Sequence, residues 1–450
     1  MDRTVRGTSR YVRALKPRGP RARAVRSAEC MIWNPAPGST VMSGGSAVRP
    51  HSTAVRTGTR SRRRLAASVS VLASVLGAVA CGTAATRTVV SQPYGQSRLQ
   101  RDADAITATG ATGVQARATR DSDDQVATSG FGDVGTRRPV KPDDHLRIGS
   151  STKTFVATVV LQLVGEGKLS LDDTVERRLP GVVHGNGNDG SKITVRELLQ
   201  HTSGIHEGDE GHETPADYYR HRFDIVPPDT LVKEAMKHRP DFAPGTSWRY
   251  CNAGYILLGM IIKRVTGHPW SEEVDRRILR PLGLRDTSVP GLSPDIPDPH
   301  SEGYDRYPDG TLIDVTRTRA PYTADAAGAV ISTTADLDRF YRALLSGRLL
   351  RPAELDQMKR TVATNAEVQH AFPGARYGLG LFSIPLSCGG NYWGHGGDIV
   401  GFMTRDGFAE DGRRGVVVSV STEFVDAENR SLRQTRVASA LIDHALCGAG

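Results

Sequence analysis

The sequence Ile148-Gly149-Ser150-Ser151-Thr152-Lys153-Thr154-Phe155 holds the one serine in the chain that stands three residues before a lysine. At the start of a helix this spacing places the two side chains one turn apart on the same face. A serine hydroxyl is a weak nucleophile until a neighbour takes its proton, and a desolvated lysine amine can do so. The pair therefore predicts a nucleophile, Ser150, with its base, Lys153. Alone it is a common coincidence. Its weight comes from two further elements downstream.

The first is Trp248-Arg249-Tyr250-Cys251-Asn252-Ala253-Gly254-Tyr255. Tyrosine and asparagine two apart on a loop can point into one cleft. Tyr250 can relay a proton if a cation such as Lys153 stands close. The Asn252 amide can hold both the lysine and a substrate carbonyl. The second is Tyr392-Trp393-Gly394-His395-Gly396-Gly397-Asp398-Ile399. Glycines on a strand mark a close approach of another backbone or a ligand, and His395 would bring a polar or cationic group beside it.

Around these elements the pattern changes twice. Residues 82–100 are rich in Thr, Ala, Ser and Gln without a hydrophobic period, and read as a flexible linker. Val114–Ala118 and Val126–Thr128 read as strands separated by an Asp-rich turn. From Ser150 the residues Val156, Val160, Leu163 and Val164 form one apolar stripe of an amphipathic helix. The middle of the chain shows helical runs between Pro- and Gly-rich loops. Tyr377–Leu386, Tyr392–Gly394, Gly401–Phe408 and Gly415–Ser421 read as strands, and Glu428–Leu446 as a closing helix. Strands at both ends with helices between predict an α+β (α/β) architecture, an antiparallel sheet flanked by helices with an inserted all-helical domain. The sheet part is expected over 101–165 plus 325–447, the insert over 166–324.

Ser150-x-x-Lys153, Tyr250-x-Asn252 and His395-x-Gly397, in this order, resemble the three motifs of the serine β-lactamase and D-alanyl-D-alanine carboxypeptidase family. The resemblance covers about 100–447 and is nearest to class C β-lactamases and secreted actinobacterial carboxypeptidases. It extends to His201-Thr202-Ser203-Gly204-Ile205, Pro281-Leu282-Gly283-Leu284 and Ala327-Gly328-Ala329-Val330-Ile331-Ser332-Thr333. It implies a β-lactamase/penicillin-binding-protein-like fold and an acyl-enzyme on Ser150. Lys153 and Tyr250 would move its proton, and the backbone N–H groups of Ser150 and Asp398 would form the oxyanion hole. Asn252 would hold the substrate amide, and His395 would support Tyr250 and a substrate carboxylate. Trp248, Gly396 and Gly397 are expected to line the substrate site. One departure stands out. Where the family commonly has Thr or Ser in the third motif, this chain has Gly396, which removes a hydroxyl that would bind a carboxylate.

The expected activity is that of an exported D-alanyl-D-alanine carboxypeptidase on peptidoglycan-type peptides, open to acylation by β-lactams. A class C-like β-lactamase or an esterase is the alternative, and a non-catalytic β-lactam sensor or cell-wall binder is one from another class. No cofactor and no metal are expected, and the protein should act as a monomer. A histidine- and acid-rich run (His201, His206 and His212 with Glu207, Asp209, Glu210 and Glu213) could suggest metal binding, but its spacing fits no compact ligand motif. The chain contains no Gly-x-Ser-x-Gly elbow.

The formal charge of +9 invites a nucleic-acid reading, but the charge is concentrated in residues 1–64, with 15 Lys and Arg against 2 Asp and Glu. The rest is mildly acidic, so nucleic-acid binding is not expected. Arg60, Arg62, Arg63 and Arg64 followed by the apolar run Leu65–Ala80 resemble a signal peptide, making 1–81 a leader. Cys81 after it is a candidate lipidation site, with plain cleavage and secretion as the alternative. Membrane contact is expected only through that anchor. An extracytoplasmic location permits oxidation. Cys251 lies inside the second motif, so a Cys388–Cys447 bridge is expected, as the resemblance also implies. Three reduced thiols are the alternative.

Overall fold

The computed structural model describes residues 94–207, 215–425 and 430–448. The leader, Cys81 and most of the expected linker lie outside the described residues. The linker's C-terminal end does not stay irregular, because helix α1 (Gln96–Thr107) begins inside it. Leu99, Ala103 and Ile106 bury one stripe of that helix, a spacing that the polar residues around them disguise.

Hairpin β1 (Gly113–Arg120) and β2 (Asp123–Asp133) follows, then a single turn (Gly149–Ser151) that carries the candidate nucleophile Ser150, and helix α2 (Thr152–Gly165). Helix α3 (Asn252–Thr266) comes out of the second motif, and α4 (Thr334–Leu345) leads back to the sheet. Strands β3 (Phe382–Pro385), β4 (Asn391–Gly394), β5 (Gly396–Ile399), β6 (Phe402–Phe408) and β7 (Arg414–Val420) then precede the closing helix α5 (Arg430–Cys447). The main sheet runs 362–363, 376–377, β3, β4, β6, β7, β1, β2, 138–139, with β5 also paired to β6. Its pairings are antiparallel. An early and a late strand therefore meet, β1 against β7 from Val114↔Val420 to Arg120↔Arg414.

Helices cover both faces. Alternation along β7 sends Val416, Val418 and Val420 into a core shared with Leu99, Ile106, Leu441 and Ile442 of α1 and α5. Val417 faces the larger core, with Phe155 of α2 and Phe340 of α4, whose rings stack at 3.7 Å.

Helix α2 departs from the expected amphipathic stripe. Of its residues Thr152 to Leu163, only Gln162 is not buried. It runs between the sheet and the helical insert, so a helix apolar or small on all sides fits where a one-faced helix would not. The insert holds helices Val195–Gln200 and Asp229–Ala235 but is not purely helical. His184–Gly185 pairs Asn188–Asp189. Tyr304–Arg306 pairs both Leu312–Asp314 and, in parallel, Thr422–Phe424. Strands of two or three residues are too short to leave an alternating pattern.

Cys388, in the turn between β3 and β4, is bridged to Cys447 at the end of α5, while Cys251 is a buried free thiol. The bridge closes a loop with a sequence separation of 59, for which chain entropy alone gives a stabilisation of about 4 kcal/mol. Replacing both cysteines by serine should lower the free energy of unfolding by about 2–4 kcal/mol in urea titrations; an unchanged midpoint would contradict a structural role for the bridge.

Candidate active site

Three elements converge at Ser150. Gly149 opens the nucleophile turn at φ +50°, a left-handed conformation that glycine enters without steric cost. The turn directs the half-buried Ser150 toward the helix that starts at Thr152. Lys153, one turn on, is completely buried. Its Nζ lies 3.0 Å from Ser150 Oγ, 2.7 Å from Asn252 Oδ1 and 2.8 Å from the Ala327 carbonyl. Three acceptors match the three donors of an ammonium. A neutral amine fits the same seat. It gives its two N–H bonds to Asn252 and Ala327 and turns its lone pair to the Ser150 hydroxyl. The arrangement can thus take and return the serine proton with little movement.

Asn252 is the first residue of α3. Its backbone N–H donates to Glu207 Oε2, which places a carboxyl at the helix N-terminus where negative charge is favoured. Burial raises the Glu207 pKa above the ordinary carboxylate value. The loop before α3 hangs on His201, which ends helix Val195–Gln200 at φ +60°. The His201 carbonyl accepts from Arg249 N–H, and its Nδ1 accepts from Cys251 N–H at 3.2 Å. The imidazole packs on Tyr250 with ring centroids 4.2 Å apart. Lys153 Nζ stands 4.7 Å from the Tyr250 ring centroid, over its face. Burial, then the nearby Lys153 charge, keeps His201 neutral, well below the usual histidine range.

Strand β5 closes the third side. A Cβ on Gly397 would lie 1.9 Å from the Ile148 carbonyl and 2.9 Å from Ser150 N. One on Gly149 would lie 3.0 Å from Asp398 N. The two backbones touch, so the N–H groups of Ser150 and Asp398 come from facing segments, the placement an oxyanion hole needs. Asp398 itself turns away and makes two 3.0 Å bonds to Arg405. Gly396 points the same way, where a Cβ would meet Arg405 Nη1 at 3.2 Å.

Of the polar or cationic character that the sequence left open for His395, its surroundings favour the neutral, polar one. It is 2% exposed, and burial followed by the Lys153 charge pushes its pKa down to about 3. Nδ1 lies 2.6 Å from the Gly396 carbonyl and Nε2 3.0 Å from the Tyr377 hydroxyl. A carbonyl only accepts, so Nδ1 carries the proton and Nε2 accepts from Tyr377. A neutral imidazole lends no positive charge to Tyr250 or to a substrate carboxylate. Trp248 is buried in one aromatic cluster with Tyr250, Phe372, Tyr377 and Phe382.

The Ala327 carbonyl, His201, Glu207 and Tyr377 received no role from sequence. His201, Ala327 and Tyr377 lie in segments singled out there, but a backbone acceptor leaves no side-chain signature. His206 is engaged by Asp241 at 2.7 Å. Among the described residues no group of His, Cys, Asp and Glu could hold a metal ion.

A model of the family described as Beta-lactamase matches residues 98–441. Penicillin-binding protein 4 of Amycolatopsis lactamdurans is 30% identical over 308 residues, covering 66% of this chain and 73% of that protein. The chain spans 66% and 52% of the length of two Bacillus subtilis penicillin-binding relatives. Among solved structures, a D-stereospecific amidohydrolase from Streptomyces sp. is 41% identical with a TM-score of 0.68, covering 76% of this chain and 98% of that one. The D-amino acid amidase of Ochrobactrum anthropi SV3, solved with L-phenylalanine amide, is 28% identical with a TM-score of 0.67, over 77% and 97% of the two chains.

Lys153→Met should lower the rate at which Ser150 is phosphonylated by a fluorophosphonate probe, with loss of fluoride, by about 10²–10⁴-fold. Imidazole ¹⁵N NMR at pH 5 should find His201 and His395 neutral. Their folded pKa values lie below the unfolded value of about 6.5, so the stability they contribute is present above that pH and lost as pH falls. Protonation of either ring near pH 6.5 would contradict this.

Proposed function

The chain belongs to the beta-lactamase family, a family of serine acyl-hydrolases, and we propose that it is an amidohydrolase forming an acyl-enzyme on Ser150 with D-configured aminoacyl amides or peptides. The observation that carries the chemistry is Lys153 Nζ at 3.0 Å from Ser150 Oγ in a fully buried seat. Lys153, as the free amine, takes the serine proton as Ser150 attacks the amide carbonyl. The tetrahedral oxyanion lies between the N–H groups of Ser150 and Asp398. The proton passes to the leaving nitrogen through Lys153 and Tyr250, and the C–N bond breaks. Water then releases the acyl group by the reverse proton path.

The same site favours a leaving group without a free carboxylate. Neutral His395 and the hydrogen side chain of Gly396 offer neither charge nor hydroxyl. Buried Arg405 is committed to Asp398, whose side chain is 10% exposed, and removing one partner of a buried pair costs about 3–5 kcal/mol. The likeness to the Streptomyces amidohydrolase, over nearly all of that chain, supports the D-stereochemistry. The carboxypeptidase reading stands second, favoured by the Amycolatopsis penicillin-binding relative. An extracytoplasmic place of action accords with the Cys388–Cys447 bridge.

The test compares D- and L-phenylalanine amide, and N-acetyl-D-Ala-D-Ala with its C-terminal amide. The expected result is a kcat/KM at least about tenfold higher for D over L and for the neutral amide over the free carboxylate, where tenfold is about 1.4 kcal/mol. Preference for the free carboxylate would move the assignment to a carboxypeptidase. Turnover of benzylpenicillin without a lasting adduct would move it to a β-lactamase.

A further inference from the structure

Behind the nucleophile, strands β4 and β5 are two parts of one line along β6. Trp393 stands opposite Phe408, and Gly396 opposite Arg405. The register is continuous across the break, so His395 comes opposite Asp406. The ladder is interrupted there, and a side chain enters. Ser151, the residue after the nucleophile, places its Oγ 2.8 Å from Asp406 Oδ2 and 3.4 Å from the His395 carbonyl. Both Ser151 and Asp406 are buried. Arg405 Nε, next to the Asp406 carboxyl, is buried without a hydrogen-bond partner. Both residues border a cavity of about 20 Å³ whose lining includes His395, Gly396 and Asp398, room for one water molecule.

We propose that Asp406 is a positioning residue for the acylation step, acting through Ser151 to hold the nucleophile turn against strand β5. This rests on Ser150 being the acylated residue. The bridge ties together the two segments whose backbone N–H groups would hold the oxyanion, one residue after Ser150 and three residues before Asp398.

The proton on Asp406 decides how the bridge is wired. When protonated, the carboxyl donates to Ser151, whose hydroxyl is then free to donate to the His395 carbonyl, so turn and strand are joined. When ionised, Asp406 takes the Ser151 hydrogen, and the bond to the strand is lost. The groups facing Asp406 are Tyr341 from α4, Ser151 from the turn, Arg405 beside it with its partner Asp398, and neutral His395 across the break. Tyr392 lines the same cavity. Burial, opposed by the Ser151 and Tyr341 hydrogen bonds and the Arg405 charge, raises the Asp406 pKa to about 7. The joined form is therefore populated below that pH and given up above it.

Wild type, Asp406→Asn and Ser151→Ala are compared by fluorophosphonate labelling rates from pH 5 to 9, with the label located by peptide mass spectrometry. The asparagine amide donates to Ser151 at every pH. Its profile should lack the wild-type break between pH 6 and 8 and exceed the wild-type rate at pH 9. Ser151→Ala should label at least about tenfold more slowly at pH 6, since small misplacements at a reacting centre cost up to about 10²-fold. Thermal unfolding adds an independent reading. A folded pKa raised above the unfolded one gives stability that is complete below about pH 4 and lost as pH rises through 7, and Asp406→Asn should remove that loss. An unchanged break in Asp406→Asn, or labelling of Ser151→Ala within about twofold of wild type, overturns the proposal. A wild type labelled elsewhere than Ser150 sinks the acyl-enzyme reading and this inference with it.

Discussion

A lysine amine with no exposure to water and three oxygen neighbours is the constraint around which the molecule is arranged. A buried charge is tolerated only when its donors are met. The three acceptors come from three places: the nucleophile turn, the start of α3 and the backbone at Ala327. Helix α2 must therefore pass through the middle of the protein, which explains why it is buried on nearly all sides. The helical insert must also return its second motif to within 2.7 Å of the lysine. The left-handed His201 at the end of Val195–Gln200 and the Glu207 contact at the α3 N-terminus both serve that return.

The second constraint is steric. Strand β5 touches the nucleophile turn so closely that Gly397 admits no Cβ and Gly149 adopts a conformation that few other residues take at low cost. The adjacent Ser151–Asp406 contact lies just beneath this approach. Backbone proximity sets the geometry, and a buried hydroxyl and carboxyl sit where the strand ladder is broken.

Much of this was legible in the chain because the chemistry sits in short motifs. Ser150 and Lys153 are one helical turn apart, and Tyr250 and Asn252 flank one helix start. The glycines after His395 announced a close backbone approach, and Gly397 provides it. The antiparallel sheet and closing helix followed from alternation and period. What escaped the sequence has physical reasons. Val156, Val160, Leu163 and Val164 suggested one stripe on α2, but Ala157, Thr154 and Thr158 are small enough to be buried on its other sides. The Ala327 carbonyl is a backbone atom, invisible to any motif. Asp406 and Ser151 lie 255 residues apart, and no local pattern joins them. The charge state of His395 depends on burial and on Lys153, neither of which spacing reveals.

That charge state bears on specificity through the lysine itself. Two cations in one dry site repel each other strongly, so a Lys153 that spends part of the cycle as an ammonium opposes a second charge on His395. Burial and that charge hold the histidine neutral, and hydrogen bonds fix its tautomer, with Nδ1 donating to the Gly396 carbonyl and Nε2 accepting from Tyr377. Gly396 adds no hydroxyl, and Arg405 is held by Asp398. A substrate carboxylate arriving beside β5 would lose its hydration and gain no full charge in return, which is costly. A neutral amide loses less and can be met by backbone groups. In the proposed reaction, the position of the lysine would supply the base for acylation and, through His395, tilt the site toward uncharged leaving groups.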